Sequence, residues 1–345
     1  MNYEAAMSLA LEQAVKGVRG ANPLVGAVLL DSGGGLLGVG HHEGAGTPHA
    51  EAAALAGLSP ERIRGGTMVV SLEPCGHVGR MPACSQSLID AGIATVVYAV
   101  ADPDRLARGG AAQLRAAGVT VVEGVSAGPA AELNRRWFAA VQAQRPYTSV
   151  HIAQTLDGRI AAADGSSQWI SSPESLVANH ALRARVDAML VGTGTVIADD
   201  PRLTARRPDG SLAAKQPRRV VLGLREVPEQ AALRGDGNWV QIRSHDPEAA
   251  GRILKAEGVD HLMVEGGAKV TAAFLRADLV DELIVSIAPT VLGAGTSSIG
   301  DLGIETLGAA RHFAWDPAAA VRRDGDDLTL SLIPQPVVTT FMKEN

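Results

Sequence analysis

Short apolar runs alternate with helical segments along almost the whole chain. In the first half, the apolar runs at 24–30, 36–40 and 67–72 are separated by a turn-forming stretch or by a helical segment that starts on a proline and ends near a glycine. This alternation is typical of helices that cover a sheet whose strands are largely parallel after an initial hairpin. We therefore predict an α/β fold with helices on both faces of the sheet.

Pro146 separates two such alternating segments. A helical pattern over about 127–143 ends before it, and a new extended run begins directly after it. The alternation then resumes with a helix over about 173–186. Because a chain of 345 residues exceeds the usual size of a single hydrophobic core, two domains are expected. We predict that they cover 1–144 and 145–345.

The composition is that of an ordinary globular protein. Hydrophobic residues make up 46% of the chain, and the net charge is −6. A chain with this charge offers no basic surface for a nucleic-acid backbone. No apolar run is long enough to span a bilayer, and charged residues interrupt the N-terminal apolar pattern. We therefore expect a cytoplasmic protein without a nucleic-acid or membrane partner.

The chain contains only two cysteines, Cys75 and Cys84, both close to the start of a predicted helix. A structural disulfide fits poorly with the expected cytoplasmic location. His49, at the start of another helix, completes a possible set of metal ligands. One imidazole and two thiolates suit Zn²⁺, and three ligands leave the fourth position for water, as in catalytic zinc sites. Glu51 lies two residues after His49 and could carry protons for that water.

The arrangement matches the signature of zinc deaminases, in which His-x-Glu is followed by Pro-Cys and a second cysteine. The parts here are HAE at 49–51 and PC at 74–75. The second cysteine follows nine positions after the first, whereas the usual signature places it three positions later. The residues predict a zinc ion bound by one histidine and both cysteines, with Glu51 as the catalytic proton carrier.

The long cysteine spacing points to a particular family. The stretches EPCGHVGRMPAC at 73–84, NPLVGAV at 22–28 and GTPHAE at 46–51 resemble the deaminase half of the bifunctional riboflavin-biosynthesis deaminase–reductases. That family commonly has Thr and Pro where this chain has Met81 and Ala83. The resemblance extends over nearly the whole chain.

The resemblance implies an N-terminal α/β/α sandwich like that of cytidine deaminase and a C-terminal α/β domain similar to dihydrofolate reductase that uses NADPH. The first domain would replace the pyrimidine 2-amino group of a phosphorylated ribosylaminopyrimidine with oxygen, and the second would then reduce the ribosyl chain to a ribityl chain. On the matching positions, Asn22, His77 and Arg80 would bind the substrate of the deaminase. We further expect a homo-oligomer, either a dimer or a tetramer.

The resemblance in the second half lies in the stretches 155–172, 190–206 and 264–267. On their own, the glycines of the last stretch are equally consistent with a phosphate at a helix N-terminus and with a tight strand-to-helix turn. The family often has Pro-Thr where this chain has Ala268 and Lys269, and we expect Lys269 to face solvent. The resemblance implies contacts to the cofactor from Trp169, Thr195, Asp199, Gly266 and Gly267, and contacts to the substrate from Ser167, Arg183, Arg206 and Glu265.

Other functions share parts of this pattern. A nucleoside or nucleic-acid deaminase with an appended non-catalytic domain should carry the short cysteine spacing and, if it acts on nucleic acid, a basic surface. A zinc-stabilised binding module should supply a fourth protein ligand, for which His41, His42 and His77 are the nearby candidates. The motifs of the second half are less specific, so an inactive reductase half is a third alternative.

Overall fold

The computed structural model describes residues 1–44, 46–77, 83–104, 107–319 and 321–335. The chain divides into two compact units, Met1–Ala143 and Gln144–Asn345. This division lies one residue before the boundary predicted from the sequence. Among the described residues, no helix is long and apolar enough to cross a membrane.

The first unit is built from one mixed sheet and its covering helices. Its strands are β1 (Gly26–Leu30), β2 (Leu36–His41), β3 (Thr67–Leu72), β4 (Thr95–Val100) and β5 (Thr120–Glu123). Its helices are α1 (Tyr3–Ala14), α2 (Ala50–Leu55), α3 (Pro60–Ile63), α4 (Cys84–Asp90), α5 (Gly110–Ala116), α6 (Ala127–Leu133) and α7 (Arg135–Gln142). The short α3 has no counterpart in the sequence prediction.

The strand order in this sheet is β2-β1-β3-β4-β5. β1 is antiparallel to both β2 and β3, whereas β3, β4 and β5 run parallel to one another. Since β2 and β3 are each antiparallel to β1, they point in the same direction. The segments that follow β2 and β3 therefore leave the sheet at the same edge, and these segments carry the predicted metal ligands.

Glycines allow α1 and α2 to lie directly on the strands. A Cβ atom at Gly26 would lie 1.9 Å from the carbonyl oxygen of Ala10, and one at Gly40 would lie 2.3 Å from that of Ala50. No side chain fits at either position without displacing a helix backbone. Helix α2, which begins directly after His49, is held against β2 in this way.

The single helix predicted over about 127–143 is wrong, because Asn134 divides it into α6 and α7. The backbone of Asn134 is not helical (φ −109°, ψ 14°). Its carboxamide accepts a hydrogen bond from the backbone N–H of Leu24 and donates one to the Leu24 carbonyl, each at 2.8 Å. These long-range hydrogen bonds anchor the helix break to the segment before β1, and the helical periodicity gives no sign of them.

The second unit contains a larger sheet with helices. Its strands are β6 (Tyr147–Thr155), β7 (Arg159–Ala161), β8 (Ala188–Gly192), β9 (Arg218–Leu222), β10 (Trp239–Ile242), β11 (His261–Val264), β12 (Glu282–Ala288), β13 (Thr296–Ser297), β14 (Phe313–Trp315), β15 (Arg322–Asp324) and β16 (Asp327–Pro334). Its α-helices are α8 (Pro173–Arg185), α9 (Thr193–Asp199), α10 (Pro247–Ala256) and α11 (Ala268–Arg276), and Ala232–Arg234 and Leu307–Ala309 form short 3₁₀ helices.

The order of the main sheet is β10-β9-β8-β11-β6-β12-β16-β14, with β15 also paired to β16, while β13 and β7 form a separate pair. The strands from β10 to β12 in this order are parallel, and β16 is antiparallel to β12. β8 and β11 are neighbours, so the turns that follow them lie side by side at the carboxyl edge of the parallel strands. In α/β sheets this edge is where ligands usually bind.

The close contact at Gly40 allows a test of how α2 is placed. We expect Gly40→Ala to lower the free energy of unfolding of the first unit by about 1–3 kcal/mol, which is the usual cost of overpacking. Gly128→Ala in α6 is the control, because the space around its Cβ position is open and alanine favours the helix by up to about 1 kcal/mol. Urea unfolding followed by circular dichroism measures both, and equal effects would contradict the proposed contact.

Candidate active sites

His49, Cys75 and Cys84 come together from the N-cap of α2, the segment after β3 and the first residue of α4. The Nδ1 atom of His49 lies 3.1 Å from Sγ of Cys84 and 3.7 Å from Sγ of Cys75. The possible ligand atoms of all three lie within 4.8 Å of one another. Donor atoms bound to one tetrahedral zinc at about 2.0–2.3 Å are about 3.5 Å apart, so this group fits a single zinc ion.

The two thiols differ in their affinity for protons. Hydrogen bonding to Cys84 lowers the pKa of Cys75 to about 4, although burial acts in the opposite direction. Hydrogen bonding to Cys75, together with burial, raises the pKa of Cys84. The backbone N–H of Cys84 also donates to Sγ of Cys75 at 3.3 Å, which stabilises negative charge on that sulfur. These contacts favour the thiolate form of Cys75, which is the form that binds metal.

Among the described residues, no further histidine, cysteine, aspartate or glutamate joins this group of ligands. The His42 ring packs against that of His49, with 5.3 Å between centroids, but both of its nitrogens have other partners. Nδ1 donates to the carbonyl of Pro48 and Nε2 accepts from Nδ2 of Asn22, each at 3.0 Å. Three ligands among the described residues are the number that catalytic zinc sites use, whereas structural zinc sites have four.

Glu51 lies in the first turn of α2, two residues beyond the imidazole, and is 5% exposed. Burial raises the pKa of Glu51, whereas its own backbone N–H and the nearby His49 act in the opposite direction. A carboxyl group with a raised pKa can both accept and return a proton near neutral pH. Glu51 therefore has the burial and the raised pKa that the predicted proton carrier requires.

The residues predicted to bind the deaminase substrate are only partly brought together. Asn22 is half-buried, and the hydrogen bond to His42 fixes its carboxamide. Burial lowers the pKa of His42, although the hydrogen bond to Pro48 opposes this, and the lowered pKa favours the neutral ring that can accept from Asn22. His77 is exposed, and Arg80 lies outside the described residues.

In the second unit, a hydrogen bond joins the first turn of α9, which directly follows β8, to the segment between β11 and α11. The N–H of Gly267 donates to Oγ1 of Thr195 at 3.2 Å. A Cβ atom at Gly266 would lie 2.6 Å from Cβ of Val270, so the turn has no room for a side chain. Helices α9 and α11 begin there, and helix N-termini attract phosphate groups. This arrangement fits the diphosphate of a dinucleotide, while Lys269 is exposed, as expected.

Arg183 and Glu265, both predicted to bind substrate, form a bidentate ion pair. The Nε–Oε1 distance is 3.0 Å and the Nη2–Oε2 distance is 2.5 Å. Burial alone would raise the pKa of Glu265, but the charge and hydrogen bonds of Arg183 hold it below its ordinary value. Nη1 of Arg183 donates to the carbonyl of Thr204, so most of the donors of this arginine are used within the protein.

The other predicted reductase residues differ in how they are held. Ser167 donates a hydrogen bond to Oδ1 of Asp199 at 3.3 Å, which links a predicted substrate contact to a predicted cofactor contact. Arg206 is half-buried and donates from Nη1 to the carbonyl of Gly210 at 3.0 Å. The side chain of Trp169 is 71% exposed.

His151 is a candidate that the sequence does not single out. It is buried in β6, with Nδ1 3.9 Å from Oε1 of Glu265 and Nε2 3.2 Å from Oγ of Ser286. Burial lowers the pKa of His151, whereas the charge of Glu265 opposes the change. The one signal in the sequence is a polar residue inside an apolar strand, and this alone does not separate a buried structural histidine from a functional one.

Two known families match this chain, one in each unit. Residues 1–100 match the cytidine and deoxycytidylate deaminase zinc-binding region, and residues 146–322 match the RibD C-terminal domain. The riboflavin biosynthesis protein RibD of Mycobacterium tuberculosis is 44% identical over 343 residues, which cover 96% of this chain and 97% of that protein. The corresponding protein of Escherichia coli is 35% identical over 368 residues, which cover 96% and 98%.

Two solved structures are similar over the full length. Acinetobacter baumannii RibD is 31% identical with a TM-score of 0.73, and the match covers 97% of this chain and 99% of that one. The diaminohydroxyphosphoribosylaminopyrimidine deaminase/5-amino-6-(5-phosphoribosylamino)uracil reductase of Thermotoga maritima is 30% identical with a TM-score of 0.71, and covers 96% and 99%. The predicted α/β fold class is confirmed, as are zinc and NADPH as the cofactors. The chain therefore belongs to the RibD family of bifunctional deaminase–reductases in riboflavin biosynthesis.

Proposed function

We propose that the first unit deaminates 2,5-diamino-6-ribosylamino-4(3H)-pyrimidinone 5′-phosphate. The second unit then reduces the product with NADPH to 5-amino-6-ribitylamino-2,4-pyrimidinedione 5′-phosphate. Both reactions are in keeping with the activities for which the Thermotoga relative is named. The observation that carries the proposal is the group of His49, Cys75 and Cys84 beside the buried carboxyl of Glu51. The hydrogen bond between Gly267 and Thr195, near the starts of α11 and α9, supports the reductase half.

In the deaminase half, zinc bound by the three ligands would supply a water molecule that is reactive at neutral pH. Glu51 would take the first proton of this water and deliver it to the ring nitrogen, and would then move the second proton, from the hydroxyl now bound to the ring carbon, to the leaving amine. Water thus replaces the 2-amino group, ammonia leaves, and no oxidation or reduction takes place. Asn22, oriented by His42, would align the pyrimidine, and His77 with Arg80 would bind the phosphate.

In the reductase half, NADPH would supply the hydride that reduces C1′ of the opened ribose. Thr195, Gly266 and Gly267 would bind the cofactor diphosphate through the two helix N-termini. The remaining predicted residues would serve mainly to orient the reactants, which alone can lower a barrier substantially. Trp169 and Asp199 would contact the cofactor, and Ser167, Arg183, Arg206 and Glu265 would contact the substrate.

Glu51→Gln tests the deaminase half. We expect the rate of ammonia release, measured without NADPH, to fall by about 10²–10⁴-fold, which is the usual contribution of a positioned acid–base group. Zinc content and NADPH-dependent reduction of the deaminated substrate should not change. Glu12→Gln, at an exposed position of α1, is the matched control. Loss of both activities in the Glu51 variant would contradict two independent sites, and ammonia release only with NADPH would reverse the proposed order of steps.

Arg206→Ala tests how the reductase half binds the substrate phosphate. Because Arg183 is largely satisfied by Glu265 and Thr204, we expect Arg206 to be the main phosphate contact. The KM for the deaminated substrate should rise about 10-fold or more, as for the loss of a hydrogen bond to a charged group, while the Kd for NADPH stays the same. The exposed neighbour Arg207→Ala is the control. An unchanged KM would show that Arg206 does not bind the phosphate. An equal rise in KM for the dephosphorylated substrate would show the same.

The Arg183–Glu265 pair makes stability depend on pH. Since the pKa of Glu265 is lowered by folding, its contribution is fully present above about pH 4.3, the value in an unfolded chain, and is lost as the pH falls through the folded-state pKa. Glu265→Gln should lower the free energy of unfolding by about 1–3 kcal/mol at neutral pH, and this difference should shrink below about pH 4. Urea unfolding at neutral pH and below about pH 4 measures this difference in the free energy of unfolding. Glu257→Gln, in an exposed pair with Arg218, should have little effect at either pH.

We also propose that the chain forms a homodimer or homotetramer and that it is located in the cytoplasm. Light scattering of the purified full-length chain checks the first part of this prediction, and fractionation of the source cells checks the second.

A further inference from the structure

We propose that Gln113 in α5 is a positioning residue for the metal site, because its carboxamide joins the chain next to Cys75 to the chain next to Cys84. This proposal rests on the proposed function, since it takes both sulfurs to be zinc ligands. Gln113 would help to set the distance between the two sulfur atoms, which the spacing of the cysteines in the sequence does not determine.

The separation of nine positions between the cysteines gives a contact from another element a role to play. When two cysteines are three positions apart, the local backbone fixes the distance between their sulfur atoms. Here Cys84 begins α4, whereas Cys75 lies in the segment after β3. A contact from a third element to both segments therefore helps to set the distance between the two sulfurs.

Gln113 supplies such a contact from α5. Its Nε2 donates to the carbonyl of Gly76 at 2.7 Å, and its Oε1 accepts from Oγ of Ser85 at 2.6 Å. Gly76 directly follows Cys75, and Ser85 directly follows Cys84. The hydroxyl of Ser85 belongs to a residue that is 0% exposed, and a buried polar group without its partner is costly. Both ends of the carboxamide are thus used at the two ligand-bearing segments.

Helix α5 is itself fixed to the segment that carries Cys75. The carboxylate of Glu73 accepts hydrogen bonds from the N–H groups of Gly109 and Ala111, each at 3.1 Å. A Cβ atom at Gly110 would lie 1.9 Å from the carbonyl oxygen of Pro74, so the two backbones are in direct contact. The position of α5, which carries Gln113, is therefore fixed relative to the segment after β3. A side chain that supports a metal ligand has to come from such a fixed element.

The two hydrogen bonds of Gln113, to Gly76 and to Ser85, are called the Gln113 clamp below. Two backbone hydrogen bonds also connect the same segments. The N–H of Ser85 donates to the carbonyl of Cys75 at 3.2 Å, and the N–H of Cys84 donates to Sγ of Cys75 at 3.3 Å. They remain when Gln113 is replaced, so we expect weakened zinc binding and not the loss of the site. Removal of supporting contacts around metal ligands commonly costs about 10–100-fold in metal affinity or activity.

The test uses the full-length, zinc-loaded protein and a chromogenic chelator that reports zinc release. We expect Gln113→Ala to release zinc about 10-fold faster or more and to lower kcat for ammonia release, while NADPH-dependent reduction is unchanged. Gln86→Ala is the matched control, because Gln86 is exposed on α4 and donates to Asp90 at 2.8 Å. It should release zinc at the wild-type rate.

Two further variants make the test independent of one substitution. Gln113→Glu keeps the shape and the acceptor for Ser85 but removes the donor to Gly76, so it should also release zinc faster. Ser85→Ala combined with Gln113→Ala should be less than additive, because both changes remove the same hydrogen bond. If Gln113→Ala and Gln113→Glu released zinc at the wild-type rate, or if the effects of Ser85→Ala and Gln113→Ala on zinc release were fully additive, the role of Gln113 would be overturned while the proposed deaminase site would stand. A wild-type protein that binds no zinc at His49, Cys75 and Cys84 would overturn the proposed deaminase site and the clamp with it.

Discussion

Both candidate sites depend on strands that point in the same direction and therefore end at one edge of a sheet. In the first unit, β2 and β3 are each antiparallel to β1, so the segments after them, which carry His49 and Cys75, leave the sheet together. In the second unit, the parallel neighbours β8 and β11 bring Thr195 and Gly267 into hydrogen-bonding distance. Glycines at the helix–strand contacts then hold the helix N-termini close to that edge, where they favour thiolate and phosphate groups.

Each site also contains ionisable groups that burial alone would neutralise. At the metal site, the burial that would keep Cys75 protonated is outweighed by hydrogen bonds from Cys84, whereas for Glu51 burial prevails and raises the pKa. In the second unit, burial would raise the pKa of Glu265, and Arg183 reverses the change. Neighbouring residues thus decide which groups carry charge: a thiolate for the metal, a carboxyl group that can exchange protons, and a fixed ion pair at the reductase site.

The sequence predicts those features that local patterns encode. The alternation of apolar runs gives the α/β class, and the residue types at 49, 75 and 84 give the metal chemistry before any geometry is known. Contacts between distant segments leave no such pattern. Asn134 lies within a helical periodicity, yet it ends a helix because its carboxamide pairs with Leu24. In the same way, the role of His42 in orienting Asn22 depends on a segment twenty residues away in the chain, so the sequence suggested only a possible metal ligand.

Ala83 shows how contacts between distant segments can compensate for the loss of a proline, whose ring restricts the backbone. It is the N-cap of α4, directly before Cys84, and its φ of −58° lies within the range that proline imposes. The alanine therefore adopts the backbone that the proline common in the family would adopt, and the departure leaves the course of the chain unchanged. It does give the unfolded chain more freedom, at a cost of about 0.4–1 kcal/mol. The position of Cys84 then depends more on tertiary contacts, and the hydrogen bond between Gln113 and Ser85 lies next to this residue.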